Sequence, residues 1–254
     1  MGRAAHGGGR PPLSALRRLV PGDGVEPVLV TAPSQVRHVV VLIPAPTEPR
    51  AGRHSAFAQW SELWARHHGV ASVTADMPGG GDSLAPPSTA AWIRQHDALL
   101  SVARELAGDA PIHQLARGAG CALWSDQVRP PKSAGVRIAL SPPTASECRH
   151  VADLVAGEAQ AELADAEPAS YVLGSTTFTA GNAGLAGLLR WAAAAVETPC
   201  WEYELHVAAR TPRADAYLPF GDVDPLARLE VTRRGIGSLL GDMFDEIADP
   251  ENWC

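Results

Sequence analysis

Short apolar runs bounded by turn residues alternate along this chain with stretches whose apolar positions recur at helical spacing. Residues 28–31 and 38–43 are β-rich. The second run, containing Val-Val-Val-Leu-Ile, is apolar throughout that stretch, which predicts a central strand covered on both faces. Phe57, Trp60, Leu63 and Trp64 then precede His67, His68 and Gly69, the pattern of an amphipathic helix stopped by glycine. Residues 70–75 read as a second buried strand and 76–83 as a Gly-rich turn. Trp92, Ile93, Leu99, Leu100, Val102, Ala103 and Leu106 outline a further helix that ends near Gly108. A strand over 112–116, a helix over 119–128 and a strand over 135–140, stopped by Ser141-Pro-Pro, complete this half.

Residues 144–199 hold two Ala-rich helical stretches around a Gly/Ser/Thr-rich piece. Two readings stand for them: a short lid over the carboxyl edge of a sheet, or ordinary crossover helices. An apolar strand is expected over 201–209, a shorter one over 229–233, and an amphipathic helix over 236–247. Strands alternating with helices predict an α/β fold, a mostly parallel sheet flanked by helices. No internal repeat or linker divides it, so residues 1–24 are expected to be a flexible tail and 25–254 one domain.

At 254 residues the chain can bury a core without disulfides. Cys121, Cys148, Cys200 and Cys254 show no metal or redox spacing and read as reduced thiols; no metal site and no cofactor is expected. No apolar run approaches the roughly 20 residues of a membrane span. The formal charge of −7, with Lys132 the only lysine, argues against a nucleic-acid partner. The first 24 residues lack the apolar region of a secretory signal, and the expected location is cytoplasmic.

The chemistry turns on residues 111–122, Pro-Ile-His-Gln-Leu-Ala-Arg-Gly-Ala-Gly-Cys-Ala. They have the small-residue spacing of a nucleophile elbow, the sharp strand-to-helix turn written G-x-S-x-G, with Gly118 where the serine would stand. Together with Val-Val-Leu-Ile-Pro-Ala-Pro at 40–46 and Ala-Asp-Met-Pro-Gly-Gly-Gly-Asp-Ser at 75–83, this order resembles the α/β-hydrolase superfamily over residues 25–248. Within it the chain looks most like the hydrolase-like proteins associated with the exosortase A system. That resemblance rests on the degenerate elbow, on Tyr171-Val-Leu-Gly-Ser, and on Trp201-Glu-Tyr-Glu-Leu-His-Val-Ala-Ala-Arg. It implies company with bacterial PEP-CTERM sorting and exopolysaccharide systems.

A Ser-His-Asp hydrolase needs a nucleophile, a base, an orienting acid and two N–H donors for the oxyanion. Gly118 offers no nucleophile, and no histidine follows His206, so the loop at 233–238 where the base belongs has none. Asp215 falls at the acid position with no imidazole to orient. Aligning Leu42-Ile-Pro-Ala with the usual L-I-H-G places Pro46, which has no N–H, at the oxyanion donor; a shift of one residue moves that donor to Ala45 or Thr47.

A relocated nucleophile is the competing reading. Cys121 falls in the first turn after the elbow, where a helix N-terminus would favour its thiolate, with His113 or His150 as the base. A water positioned by Asp76, Asp82 or Asp215 is a second route to an ester or thioester hydrolase. Asp82 and Ser83 beside Gly79–Gly81 read as a structural turn in preference to a phosphate site, and His54, His67 and His68 as solvated residues in preference to metal ligands. The favoured reading is a pseudo-hydrolase, a non-catalytic ligand-binding or scaffolding protein. Its ligand would be a small acyl, glycosyl or carboxylate compound, or its partner a protein, met at Ala45, Thr47, Gly118, Ala119 and Gly120.

Overall fold

A computed structural model describes residues 16–20, 26–52, 55–124, 135–158, 170–173, 176–179, 182–198, 200–205 and 225–247. Seven strands form one sheet: β1 (Leu16–Val20), β2 (Val28–Ala32), β3 (His38–Ile43), β4 (Val70–Thr74), β5 (Ile112–Arg117), β6 (Arg137–Leu140) and β9 (Tyr203–Leu205), in the order β1-β2-β4-β3-β5-β6-β9. From β4 to β9 neighbours are parallel, and β2 runs antiparallel to β1 and β4. With a strand–turn–helical elbow after the central β5, this is the mixed, mostly parallel sheet of the α/β-hydrolase fold. A separate hairpin joins β7 (Ser170–Leu173) to β8 (Thr176–Thr179).

Period-2 alternation in the central strand divides the core. Val39, Val41 and Ile43 point to the face covered by α2 (Thr89–Ala107), α3 (Ala145–Glu158) and α4 (Ala183–Val196). Val40 and Leu42 point to the other face, under α1 (Ala56–His67) and α5 (Pro225–Ile247). Both α3 and α4 send buried residues, among them Cys148, Val155, Leu185 and Leu189, into the core that α2 covers. Local signals set the helix ends. Ser88 caps α2 by accepting the Ala91 N–H at 3.3 Å, and Asn182 caps α4 by accepting the Leu185 N–H at 3.0 Å.

The fifth helix docks closely on α1. A Cβ at Gly237 would lie 2.7 Å from the Trp60 ring, and one at Gly241 would lie 2.6 Å from the His68 ring. The Trp64 Nε1–H donates to the Gly237 carbonyl at 2.7 Å, and Phe244 stands edge-on to Trp64. Asp245 receives Arg37 at 3.1 Å and lies 2.8 Å from His68 Nδ1.

Three sequence expectations are corrected. Residues 16–20, assigned to a loose tail, are a strand paired along its length with β2. The strand expected at 229–233 is part of α5: Pro225 stands at the first helical position, where its fixed φ suits a helix start, and the helix continues into the 236–247 segment. The helix expected at 119–128 is a tight 3₁₀ segment, Gly118–Trp124, as far as the described residues run. His54, His206 and Asp215 lie outside the described residues, as does the 206–209 part of the expected strand.

Candidate functional site

The elbow turn is present in the backbone. β5 delivers the chain to Gly118, whose φ of 53° is left-handed, and the 3₁₀ segment leaves it with Gly118, Ala119, Gly120 and Cys121 all buried. Left-handed backbone favours glycine. Gly120 is constrained by space: a Cβ there would meet the Pro44 carbonyl oxygen at 2.9 Å and Ile43 Cγ2 at 3.1 Å. The small residues thus bring the turn after β5 directly against the loop after β3, as a serine hydrolase requires, although residue 118 carries no side chain.

The loop after β3 makes a turn over residues 45–48. The Glu48 N–H donates to the Ala45 carbonyl at 3.0 Å, Pro46 occupies the second position, and Thr47 takes the third with φ 70°. A β-branched residue in the left-handed region is strained. The Glu48 carboxylate then folds back: Oε2 accepts the Ala45 N–H at 3.3 Å, while Oε1 accepts the Arg117 guanidinium at 2.8 Å. Glu48 and Arg117 are both buried, and Arg117 immediately precedes the apex. Of the donors proposed at the oxyanion position, Pro46 has no N–H and the Ala45 N–H is bonded to Glu48.

A second pair ties the same loop to the turn after β4. Asp76, buried, accepts the Arg50 N–H at 2.7 Å through Oδ1 and the Arg50 guanidinium through Oδ2. Asp82 lies 3.8 Å from the same guanidinium but is 91 % exposed. A Cβ at Gly81 would run into Asp76 Oδ1 at 1.9 Å, so the Gly-rich turn is shaped around this carboxylate. Ser83 donates its hydroxyl to Glu26 at 2.5 Å and accepts the Ala85 N–H at 3.2 Å. The turn over 76–83 is therefore held by contacts within the protein.

Cys121 does not have the character a nucleophile needs. It is 1 % exposed, its Sγ–H donates to the Ala116 carbonyl at 3.5 Å, and burial pushes its pKa well above the ordinary thiol range. The expectation of a stabilised thiolate fails because desolvation outweighs any benefit from a short 3₁₀ turn. Burial likewise raises Cys148 to about 12. His113 lies five residues before the apex, roughly 16 Å along an extended strand. His150 is exposed on α3.

Instead, His113 belongs to a buried pair at the opposite end of the sheet. The Val136 N–H donates to His113 Nδ1 at 3.2 Å, so the neutral ring carries its proton on Nε2 and donates it to His38 Nδ1 at 3.1 Å. That fixes the His38 proton on Nε2, which has no partner among the described residues. Burial, reinforced by the neighbouring His38, depresses His113 to about 3. Burial also lowers His38, with Arg37 and His68 adding to the shift and Asp245 opposing it. On the other face His96, lowered by burial, lies 2.9 Å from Gln114 Oε1, which also accepts the Trp124 indole N–H at 3.0 Å. Among the described residues no cluster of His, Cys, Asp and Glu could hold a metal, and no helix is long and apolar enough to cross a membrane.

Sequence reasoning missed Glu48, Arg50 and Arg117. The signal was there in Arg117, a charge inside a run otherwise read as a buried strand, which obliges a partner nearby.

No family model matches the chain, and no curated protein matches it. Among solved structures it is similar to a proline iminopeptidase-related protein from Thermus thermophilus, with 19 % identity, TM-score 0.44, and coverage of 77 % of this chain and 80 % of that one. It is also similar to an esterase from Pyrococcus furiosus, at 12 % identity and TM-score 0.42 over 60 % of this chain and 57 % of that one. A thermostable carboxyl esterase from Bacillus coagulans matches at 11 % identity and TM-score 0.42 over 56 % and 50 %. The chain spans little more than half the length of these esterases. What places it in the fold is its own strand order and the left-handed turn at Gly118.

Proposed function

We propose that this protein keeps the α/β-hydrolase scaffold as a binding or scaffolding module and does not hydrolyse esters. The observation that carries the reading is the pairing at the elbow: a left-handed glycine stands where the attacking oxygen would be, and beside it the Glu48 carboxylate engages both the Ala45 N–H and the Arg117 guanidinium. Groups that would otherwise face a developing oxyanion are satisfied by an internal acid. The crevice residues Thr47, Gly118, Ala119 and Gly120 then contribute shape and backbone dipoles in place of covalent chemistry.

The occupant in this reading is a small acyl, glycosyl or carboxylate compound, or a protein partner. The resemblance to exosortase-associated hydrolase-like proteins supports a setting beside protein sorting and exopolysaccharide export. The test has two arms. Purified protein treated with a fluorophosphonate probe should acquire no adduct, and p-nitrophenyl acetate and acyl-thioester turnover should match the buffer blank. A labelled residue, or turnover abolished by Cys121→Ala or Asp215→Ala, overturns the non-catalytic reading. A thermal-shift screen in which no acyl, glycosyl or carboxylate compound raises the melting temperature overturns the small-molecule arm.

A further inference from the structure

Away from the elbow, a cleft of about 470 Å³ opens between edge strand β1, helix α1 and helix α5. It shares no residue with the turn at 45–48 or with Gly118–Gly120, so a ligand bound there is independent of the function proposed for the elbow. Its apolar lining comes from α1, chiefly Trp60 and Leu63, and its polar lining from three arginines on three elements: Arg17 on β1, Arg66 on α1 and Arg234 on α5. Glu62 is the one carboxylate among them. It lies 3.0 Å from the Arg17 guanidinium and 2.6 Å from that of Arg66, while Arg17 also donates to the Ala58 carbonyl at 3.4 Å.

Glu62 therefore aligns two guanidinium groups on one wall while Arg234 approaches from another, and the lining keeps two positive charges in excess, with His67 beside them. In a chain of formal charge −7 that local excess is against the overall sign. The volume is within the range that takes a small ligand, roughly 300–1,000 Å³. Guanidinium forks match the oxygens of a phosphate in paired hydrogen bonds, and an apolar, aromatic-bearing wall suits a flat or aliphatic body. A dianionic head balances the excess charge; a monocarboxylate leaves one charge over. We propose that this cleft is a binding site for a small phosphomonoester whose organic part packs along Trp60 and Leu63 while its phosphate meets Arg66, Arg234 and Arg17.

The test is calorimetric titration of the full chain with phenyl phosphate, benzoate and phenol at low ionic strength. Two-dimensional NMR of the arginine side-chain N–H groups reports where the ligand sits. Phenyl phosphate should bind saturably, about tenfold or more tighter than benzoate, with phenol silent; the shifts should concentrate on Arg17, Arg66 and Arg234 and weaken as salt is raised. The Arg66→Gln/Arg234→Gln double variant should lose about tenfold or more in affinity, and Arg190→Gln on α4, on the opposite face, should bind as the parent does. Absence of saturation, equal affinity for benzoate, or an unchanged affinity in the double variant overturns the proposal. Because these arginines lie at the surface, an unchanged melting temperature confirms that the double variant is folded; if it is not, Arg234→Gln alone carries the same expectation and the same refutation.

Discussion

Acid should destabilise this protein well before its carboxylates titrate, and the His113–His38 pair sets the size of the effect. In the folded chain, the proton that His113 would accept on Nδ1 would face the Val136 N–H, and a second proton on His38 Nδ1 would oppose the one donated by His113. Both rings must stay neutral while packed against Phe244. The unfolded chain has no such restriction, and its histidines bind protons below about pH 6.5. Because the folded pKa of His113 is depressed to about 3, the unfolded state binds more protons throughout the window between, and stability falls as pH falls. The stabilisation is fully present above pH 6.5. At pH 5 the cost from His113 alone is about 2 kcal/mol, and the lowered His38 and His96 act in the same direction.

Urea melts at pH 7 and pH 5, above the ordinary carboxylate range, isolate this contribution. With a slope of about 2 kcal/mol per M, the midpoint should drop by about 1 M or more. The His113→Leu variant should be less stable at pH 7, because the Val136 N–H loses its acceptor, yet show a shallower decline between pH 7 and 5. Midpoints that are flat over this interval, or a decline unaltered in His113→Leu, would refute the assignment of neutral buried rings.

At the elbow, Glu48→Ala removes one partner of a buried ion pair and should cost about 3–5 kcal/mol in chemical denaturation, with part of the loss recovered in Glu48→Ala/Arg117→Met. Gly118→Ser restores the hydroxyl of a hydrolase without supplying a base; it should stay inactive on p-nitrophenyl acetate and lose about 1–3 kcal/mol because a side chain at φ 53° is strained. Gly120→Ala presses a methyl group against the Pro44 carbonyl and Ile43, and should lower stability by about 1–3 kcal/mol in the same assay. Alkylation of native protein by iodoacetamide should spare Cys121 and Cys148, read by peptide mass mapping, since both thiols are buried and protonated.

Much of the fold was legible because burial on two faces leaves a plain mark. The unbroken apolar run at 39–43, the helical spacing of Phe57, Trp60 and Trp64, and the glycines at 69 and 108 each follow from one local rule, and each lands in the expected element. The elbow was legible for the same reason, since small residues at 116, 118, 119, 120 and 122 have no other economical use in a buried turn. What escaped depends on partners distant in sequence. Residues 229–233 carry β-branched Val231 and Thr232 and read locally as a strand, but they belong to a helix that starts at Pro225 and docks through Gly237 and Gly241. The Glu48–Arg117 pair spans 69 positions, so neither charge reveals the other in a local pattern. Cys121 was misjudged because a turn's dipole can be guessed from sequence and complete desolvation cannot.

The pairing of β1 with β2 bears on anyone who shortens this polypeptide. A cut at residue 25, which the Gly- and Pro-rich leader invites, would strip the outermost ribbon and bare the backbone of Val28–Ala32 along one side. Arg17 and Arg18 make the present rim charged and unattractive to a neighbour, whereas the newly uncovered Val-Leu-Val-Thr-Ala carries no charge at all. Such a trimmed product would tend to self-associate through that rim, and its insolubility would be mistaken for a failure to fold.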